Sequence, residues 1–171
     1  MKKLKLKGAL KPIGVVHVQH SDEEVSSSLN GVDGIVEVYP EYADGLKGID
    51  GFSHIILLAY LHKVRSDQRK ILVVRFRKFL RFGFKFEELP EAGVFASDSP
   101  VRPNPIAVSI VKLVGRTGRF LRVSGLDLFD GTPILDIKPY TPDRVINNYH
   151  LPYWYERFLI KVRNKLNIKG I

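Results

Sequence analysis

The 171-residue chain has no cysteine. Disulfides, thiolate zinc sites and thiol nucleophiles are therefore excluded. No apolar run reaches the ~18 residues that a membrane span needs, so no membrane partner is expected. The opening MKKLKLKGALKP is basic, but Lys11 and Pro12 cut its apolar stretch far short of a signal-peptide core. A cytoplasmic protein is the expectation. HExxH, GxSxG, a Walker loop and paired-cysteine spacing are all missing. The glycines at 45, 48 and 51 do not make the GxGxxG fingerprint of a dinucleotide fold. His17 and His20 point to opposite faces if they lie on a strand, so no metal site is expected.

Acid is also scarce. There are 18 Asp+Glu against 27 Lys+Arg, a net charge of +9. The excess is segregated. Residues 1–11 hold five lysines and no acid. Residues 63–85 hold nine basic residues and one acid, Asp67. Residues 153–171 hold five basic residues and Glu156. A cationic surface beside a mildly acidic body suits a polyanionic partner, nucleic acid being the commonest. A solvated, solubilising surface is the alternative. At 44% hydrophobic content the chain suits one domain, one able to bury roughly 68–70% of its unfolded surface.

The pattern predicts mostly short strands. Leu10–Val18, Ile35–Tyr39, Phe52–His62, Ile71–Arg77, Val94–Ala96, Ile106–Val114, Phe120–Ser124 and Ile134–Ile137 read as strands, because β-branched and aromatic residues dominate them. Phe52–His62 is continuously apolar, which suits a central buried strand or a buried helix. Residues 19–33 read as a long polar loop. The alternation in RFGFKF (81–86) predicts a strand with Phe82, Phe84 and Phe86 on one face. Gly115–Gly118 reads as a hairpin turn. The clear helix is C-terminal. Pro152 is placed like a first-turn proline, and Tyr155, Phe158, Leu159, Val162 and Leu166 form one apolar face. That face is expected on the barrel or on a second subunit. Strands at this spacing indicate a barrel or sandwich.

Two clusters carry possible chemistry. In GVFASDSPVRPNP (93–105), Pro100, Pro103 and Pro105 stiffen the backbone and remove donors. Asn104, between two prolines, is biased toward extended backbone with a free side chain. In SGLDLFDGTPILDIKPY (124–140), Asp130 opens an evident turn and is expected to bond local N–H groups, with Asp127 and Asp136 flanking at strand ends. The aspartate spacing is not that of an EF-hand loop.

These clusters, with GLKGIDGFSHIILLAYLH (45–62), resemble the TrmO family of tRNA N6-methyladenosine methyltransferases over roughly residues 10–142. The resemblance implies a mostly β, single-domain β-barrel with a short C-terminal helix, not a Rossmann methyltransferase. Residues 1–142 would form the methyltransferase domain and 143–171 a basic helical extension. It further implies a homodimer that binds S-adenosyl-L-methionine. Such a dimer would methylate N6 of threonylcarbamoyladenosine beside the anticodon, with the anticodon arm of tRNA as partner. By the same resemblance His62, Lys63, Val108, Ser124, Gly125, Leu126 and Asp127 hold the cofactor, and His54 is a motif position. Asn104, Asp136 and Tyr140 are the candidate catalytic residues. Arg75, Arg77, Arg81, Arg102 and Lys138 are the candidate substrate-binding residues. One position departs from the family pattern: Asp98 stands where ATRS has arginine. A non-catalytic RNA-binding barrel, or a methyltransferase for another substrate, is the competing expectation.

Overall fold

A computed structural model describes residues 8–167. These residues group into two units. One comprises the described residues of Met1–Lys63 with Ile106–Tyr140, the other those of Val64–Pro105 with Thr141–Ile171.

The first unit is a closed antiparallel barrel of six strands. They are β1 (Gly14–His17), β2 (Val32–Val38), β3 (His54–Tyr60), β6 (Ile106–Thr117), β7 (Phe120–Leu126) and β8 (Pro133–Pro139), in the order β1-β2-β7-β6-β3-β8. Closure removes every free strand edge. Alternation places Val16, Val36, Val38, Ile55, Leu57, Ala59, Val111, Leu121, Val123 and Ile134 inside. On β3 the outward Ile56 is buried as well, so the central-strand reading of its apolar run holds. The β6–β7 hairpin turns at Gly118 and Arg119, later than expected, because Gly115, Arg116 and Thr117 are still paired with Arg122, Leu121 and Phe120.

The expected loop at 19–33 contains a helix, α1 (Asp22–Ser27). Its start is a capping box: the Glu24 N–H donates to Ser21 Oγ (3.3 Å) and the Ser21 N–H donates to Glu24 Oε2 (2.7 Å). That donor holds the Glu24 carboxyl below its ordinary range.

In the second unit, β4 (Val73–Arg75) pairs with β5 (Glu91–Gly93). The expected strand at 81–86 is not formed. Arg77–Phe82 is a 3-10 helix, and Gly83 leaves it at φ 77. In such a helix residues three apart eclipse, which aligns Phe79 with Phe82 (ring centroids 6.2 Å). Phe84 is buried, Phe82 half-buried and Phe86 exposed. Val94–Ala96 is likewise a 3-10 turn, the strand lying just before it.

Helix α2 (Tyr153–Leu166) follows Pro152, which is its N-cap and not part of its first turn. Asn167 ends it in the left-handed region (φ 52). Its apolar stripe packs within its own unit. Phe158 and Val162 pack with Phe84 and Leu89 of the same unit, against Phe76, Phe79 and Phe82.

Candidate functional site

One mouth of the barrel gathers His62, Lys63 and Asp127 of the cofactor candidates. Strand β3 ends at Tyr60, paired with Ile106 at the start of β6. β7 reaches the same mouth, since Ser124 pairs with Lys112 and the strand then runs toward the start of β6. His62 and Lys63 follow β3, and Asp127 follows β7. Lys63 Nζ donates to both oxygens of Asp22, each at 2.6 Å, and stands 5.1 Å over the Phe129 ring. The sequence therefore brings the 62–63 and 127–130 segments together with α1.

Asp127 is held from within. The Ser109 hydroxyl, buried inside the barrel, donates to its Oδ1 at 2.6 Å. A carboxylate acceptor makes this bond roughly twice as strong as a neutral one. Sequence reasoning missed Ser109, although a serine amid the apolar residues of β6 was a visible signal. Ser109→Ala is expected to release Asp127 and cost about 1–3 kcal/mol of stability. The cofactor's dissociation constant should rise in the same variant, as calorimetry can measure.

Asp130 does not bond the local turn as expected. Its Oδ1 accepts the Val18 N–H (3.1 Å), tying the 129–132 turn to the end of β1. The turn closes locally through Thr132, whose hydroxyl donates to the Phe129 carbonyl (2.7 Å). At the back of the mouth two glycines nearly touch. Gly31 has φ 72, and a Cβ there would lie 2.4 Å from the carbonyl carbon of Gly125.

His62 titrates below the ordinary histidine value. Partial burial is the largest cause, then the Lys63 ammonium, while Asp22 and Asp130 push the other way. The ring is thus neutral at pH 7, able both to donate and to accept. Lys63→Ala should raise the His62 midpoint, because the cation leaves and Asp22 loses its partner. A proton NMR titration reads this. An unchanged or lower midpoint would contradict the arrangement.

Other candidates lie elsewhere. Val108 is 65% exposed on the outer face of β6, opposite in direction to Ser109. Asp136 is in the middle of β8, not at a strand end, paired with Leu58 of β3. Its Oδ2 meets Lys138 Nζ at 2.6 Å. Lys138 and Tyr140 are at the opposite mouth: Lys138 pairs with Ile56, and the Tyr140 N–H donates to the His54 carbonyl. The His54 and Tyr140 rings stand edge to face at 6.3 Å. His54 is the first residue of β3, so its mouth and that of Tyr60 are about 20 Å apart along the strand.

In the second unit, Asn104 is exposed. Arg75 donates to the Leu89 carbonyl (3.0 Å) and pairs with Glu91 (3.3 Å). Arg75 and Arg77 both face the exposed Phe86 ring, at 5.1 and 5.7 Å. Arg81 is exposed at the end of the same 3-10 helix. Arg102 turns inward on its own loop, donating to the carbonyls of Val94 (2.8 Å), Ser99 (3.0 Å) and Ser97. Net charge divides unevenly. By sequence, the second unit has 15 basic and 7 acidic residues, the first 12 and 11. Eight of the nine excess positive charges therefore belong to the second unit. Among the described residues no helix is long and apolar enough to cross a membrane.

The fold defines a closed antiparallel barrel protein, unrelated in topology to the doubly wound sheet of Rossmann enzymes. Residues 20–144 match the family described as tRNA-methyltransferase O N-terminal domain, and the chain belongs to that family. A probable S-adenosyl-L-methionine-binding protein of Pyrococcus abyssi is 38% identical over 156 residues, 89% of this chain and 78% of that protein. The tRNA (adenine(37)-N6)-methyltransferase of Escherichia coli is 35% identical over 119 residues, 67% of this chain. This chain spans only 47% of that enzyme. A crystal structure of TrmO superposes with a TM-score of 0.62 at 29% identity, over 86% of this chain and 62% of that one.

Proposed function

We propose that this protein is an S-adenosylmethionine-dependent methyltransferase acting on N6 of an adenine in tRNA. The finer reading is threonylcarbamoyladenosine beside the anticodon. The observation that carries it is the approach, at one barrel mouth, of Lys63 to the Phe129 ring, which brings the His62–Lys63 segment beside the turn that directly follows Asp127; the family resemblance assigns His62, Lys63 and Asp127 to the cofactor. The donor set suits that ligand: Asp127 is an acceptor for hydroxyl or ammonium groups, and His62 is neutral at working pH. Lys63, already neutralised by Asp22, adds little repulsion toward a sulfonium.

The bound cofactor supplies an electrophilic methyl group. The protein's task is then positioning more than proton transfer, because the nucleophile must lie in line with the S–CH3 bond. The exocyclic amine of adenine has its lone pair delocalised into the ring. Asn104, an exposed side chain of the second unit, is assigned as an acceptor for the N6–H of the adenine through its side-chain carbonyl. Lys138 and Tyr140, at the other mouth, are outside this assignment. The charge on the second unit supports an RNA partner, and Arg77 and Arg81 are assigned to phosphates. Outward Val108, Ile110 and Val114 on β6 support a homodimer, since large exposed apolar patches mark contact surfaces.

Mass spectrometry of tRNA nucleosides after incubation with the protein and labelled cofactor tests the reading. Label on N6 of an adenosine derivative supports it. Absence of label from tRNA that carries the unmethylated nucleoside overturns it.

A further inference from the structure

The 3-10 turn Val94–Ala96 separates two neighbours sharply. Val94 is buried at 1% relative exposure, while Phe95 is 87% exposed. Val94 is pinned: its N–H donates to the Leu72 carbonyl (2.9 Å), and its own carbonyl accepts from Arg102. The rest of the loop is braced as well. Arg102 spans three carbonyls of the segment 94–99, the Ser99 N–H donates to Ser97 Oγ (3.4 Å), and the Val101 N–H donates to Ser99 Oγ (3.3 Å). Pro100, Pro103 and Pro105 restrict the backbone that follows.

A phenyl ring this exposed gives up the free energy of burial. The loop beneath it is organised and not slack, so the ring is held out at a defined place. Of the two units, this one carries nearly all the excess positive charge. A rigid aromatic face on a cationic body is the combination that binds unpaired nucleotides, the charges taking the phosphates and the ring taking a base.

We infer that Phe95 is a stacking platform for an unpaired base of the RNA substrate, with Arg102 as the positioning residue that fixes the platform. This deepens the RNA reading above and rests on it. Stacking is sequence-tolerant, because every base has a π-face. The ring therefore supplies affinity and orientation to a looped-out strand and leaves the choice of nucleotide to other groups.

The test compares the wild-type protein with Phe95→Ala, Phe95→Leu and Phe95→Trp. Four quantities are measured: affinity for an anticodon stem-loop RNA, affinity for a duplex RNA of equal length, cofactor affinity, and unfolding midpoint. Phe95→Ala and Phe95→Leu should each weaken stem-loop binding about tenfold. Phe95→Trp should keep it and show tryptophan quenching on binding. Duplex affinity, cofactor affinity and midpoint should stay unchanged, since Phe95 packs on little. Stem-loop affinity within twofold of wild type in Phe95→Ala overturns the inference, and if wild-type protein still methylates tRNA the functional reading survives. Equal losses on stem-loop and duplex overturn it in favour of general electrostatics. A loss of cofactor affinity alone overturns it by assigning the ring to the cofactor. Wild-type protein that neither binds nor methylates RNA removes both readings.

Discussion

Phe158→Ala is expected to lower the unfolding midpoint of the second unit by about 20 °C. Phe158 stands at the centre of an aromatic group. Its ring lies 4.9 Å from Phe79, 5.6 Å from Phe76 and 5.8 Å from Phe84, with edge-to-face or tilted geometry in each case. Truncating a buried phenylalanine typically costs about 3–5 kcal/mol through lost transfer energy and the cavity left behind. Few residues are available to absorb that loss, because the buried cluster consists of Phe84, Leu89, Phe158 and Val162. The same variant should weaken RNA binding. Phe76, one face of the cluster, lies between Arg75 and Arg77 in the chain, so loosening the aromatics disperses both guanidinium groups. Amide exchange gives the measurement: protection should fall across Tyr153–Leu166 and Arg77–Phe82, with strands β3 and β7 as the internal reference. A midpoint within 2–3 °C of wild type would show that α2 is not held by this cluster.

The barrel was legible in the sequence because its strands have strong alternation and are punctuated by turn residues. β3 was legible by its continuous apolar run, and α2 by a stripe at helical spacing. Three things were obscured, each for a physical reason. Helix α1 buries only Val25, so periodicity had nothing to register, and its one signal was the capping pair Ser21 and Glu24. At 81–86 the alternation was genuine, but a period of three in Phe76, Phe79 and Phe82 competed with it and prevailed through a 3-10 helix. The direction of Arg102 could not be read at all. A guanidinium satisfies its donors on whatever carbonyls a folded loop presents, and three happened to be within reach. The site was half legible. The motifs singled out His62, Lys63 and Asp127, and the fold sets Lys63 over the ring of Phe129, two residues beyond Asp127, yet only strand register shows that Lys138 and Tyr140 belong to the other mouth. A motif records which residues recur together, whereas register decides which end of a strand each one occupies.

Gly31→Ala should destabilise the barrel by roughly 2–5 kcal/mol and abolish cofactor binding. Two costs combine. The residue holds φ 72, in the left-handed region, which an alanine enters at roughly 1–2 kcal/mol. Its new Cβ would also stand 2.4 Å from the Gly125 carbonyl carbon, 2.6 Å from that oxygen and 2.7 Å from the Leu126 nitrogen. All three are backbone atoms, so no side chain can swing aside, and the strands must separate. Such overpacking typically costs 1–3 kcal/mol. The displacement falls on Gly125 and Leu126, directly before Asp127. Its bond from Ser109, at 2.6 Å, tolerates little movement before it is lost. Gly48→Ala separates the two costs. Gly48 also has a positive φ, of 83, but nothing lies within 4 Å of a Cβ there. That variant should lose only the backbone term, about 1–2 kcal/mol, and bind cofactor normally. Denaturant midpoints and cofactor titrations on the pair settle the matter. Equal destabilisation of the two would mean that the close approach of Gly31 to Gly125 is not what shapes this mouth of the barrel.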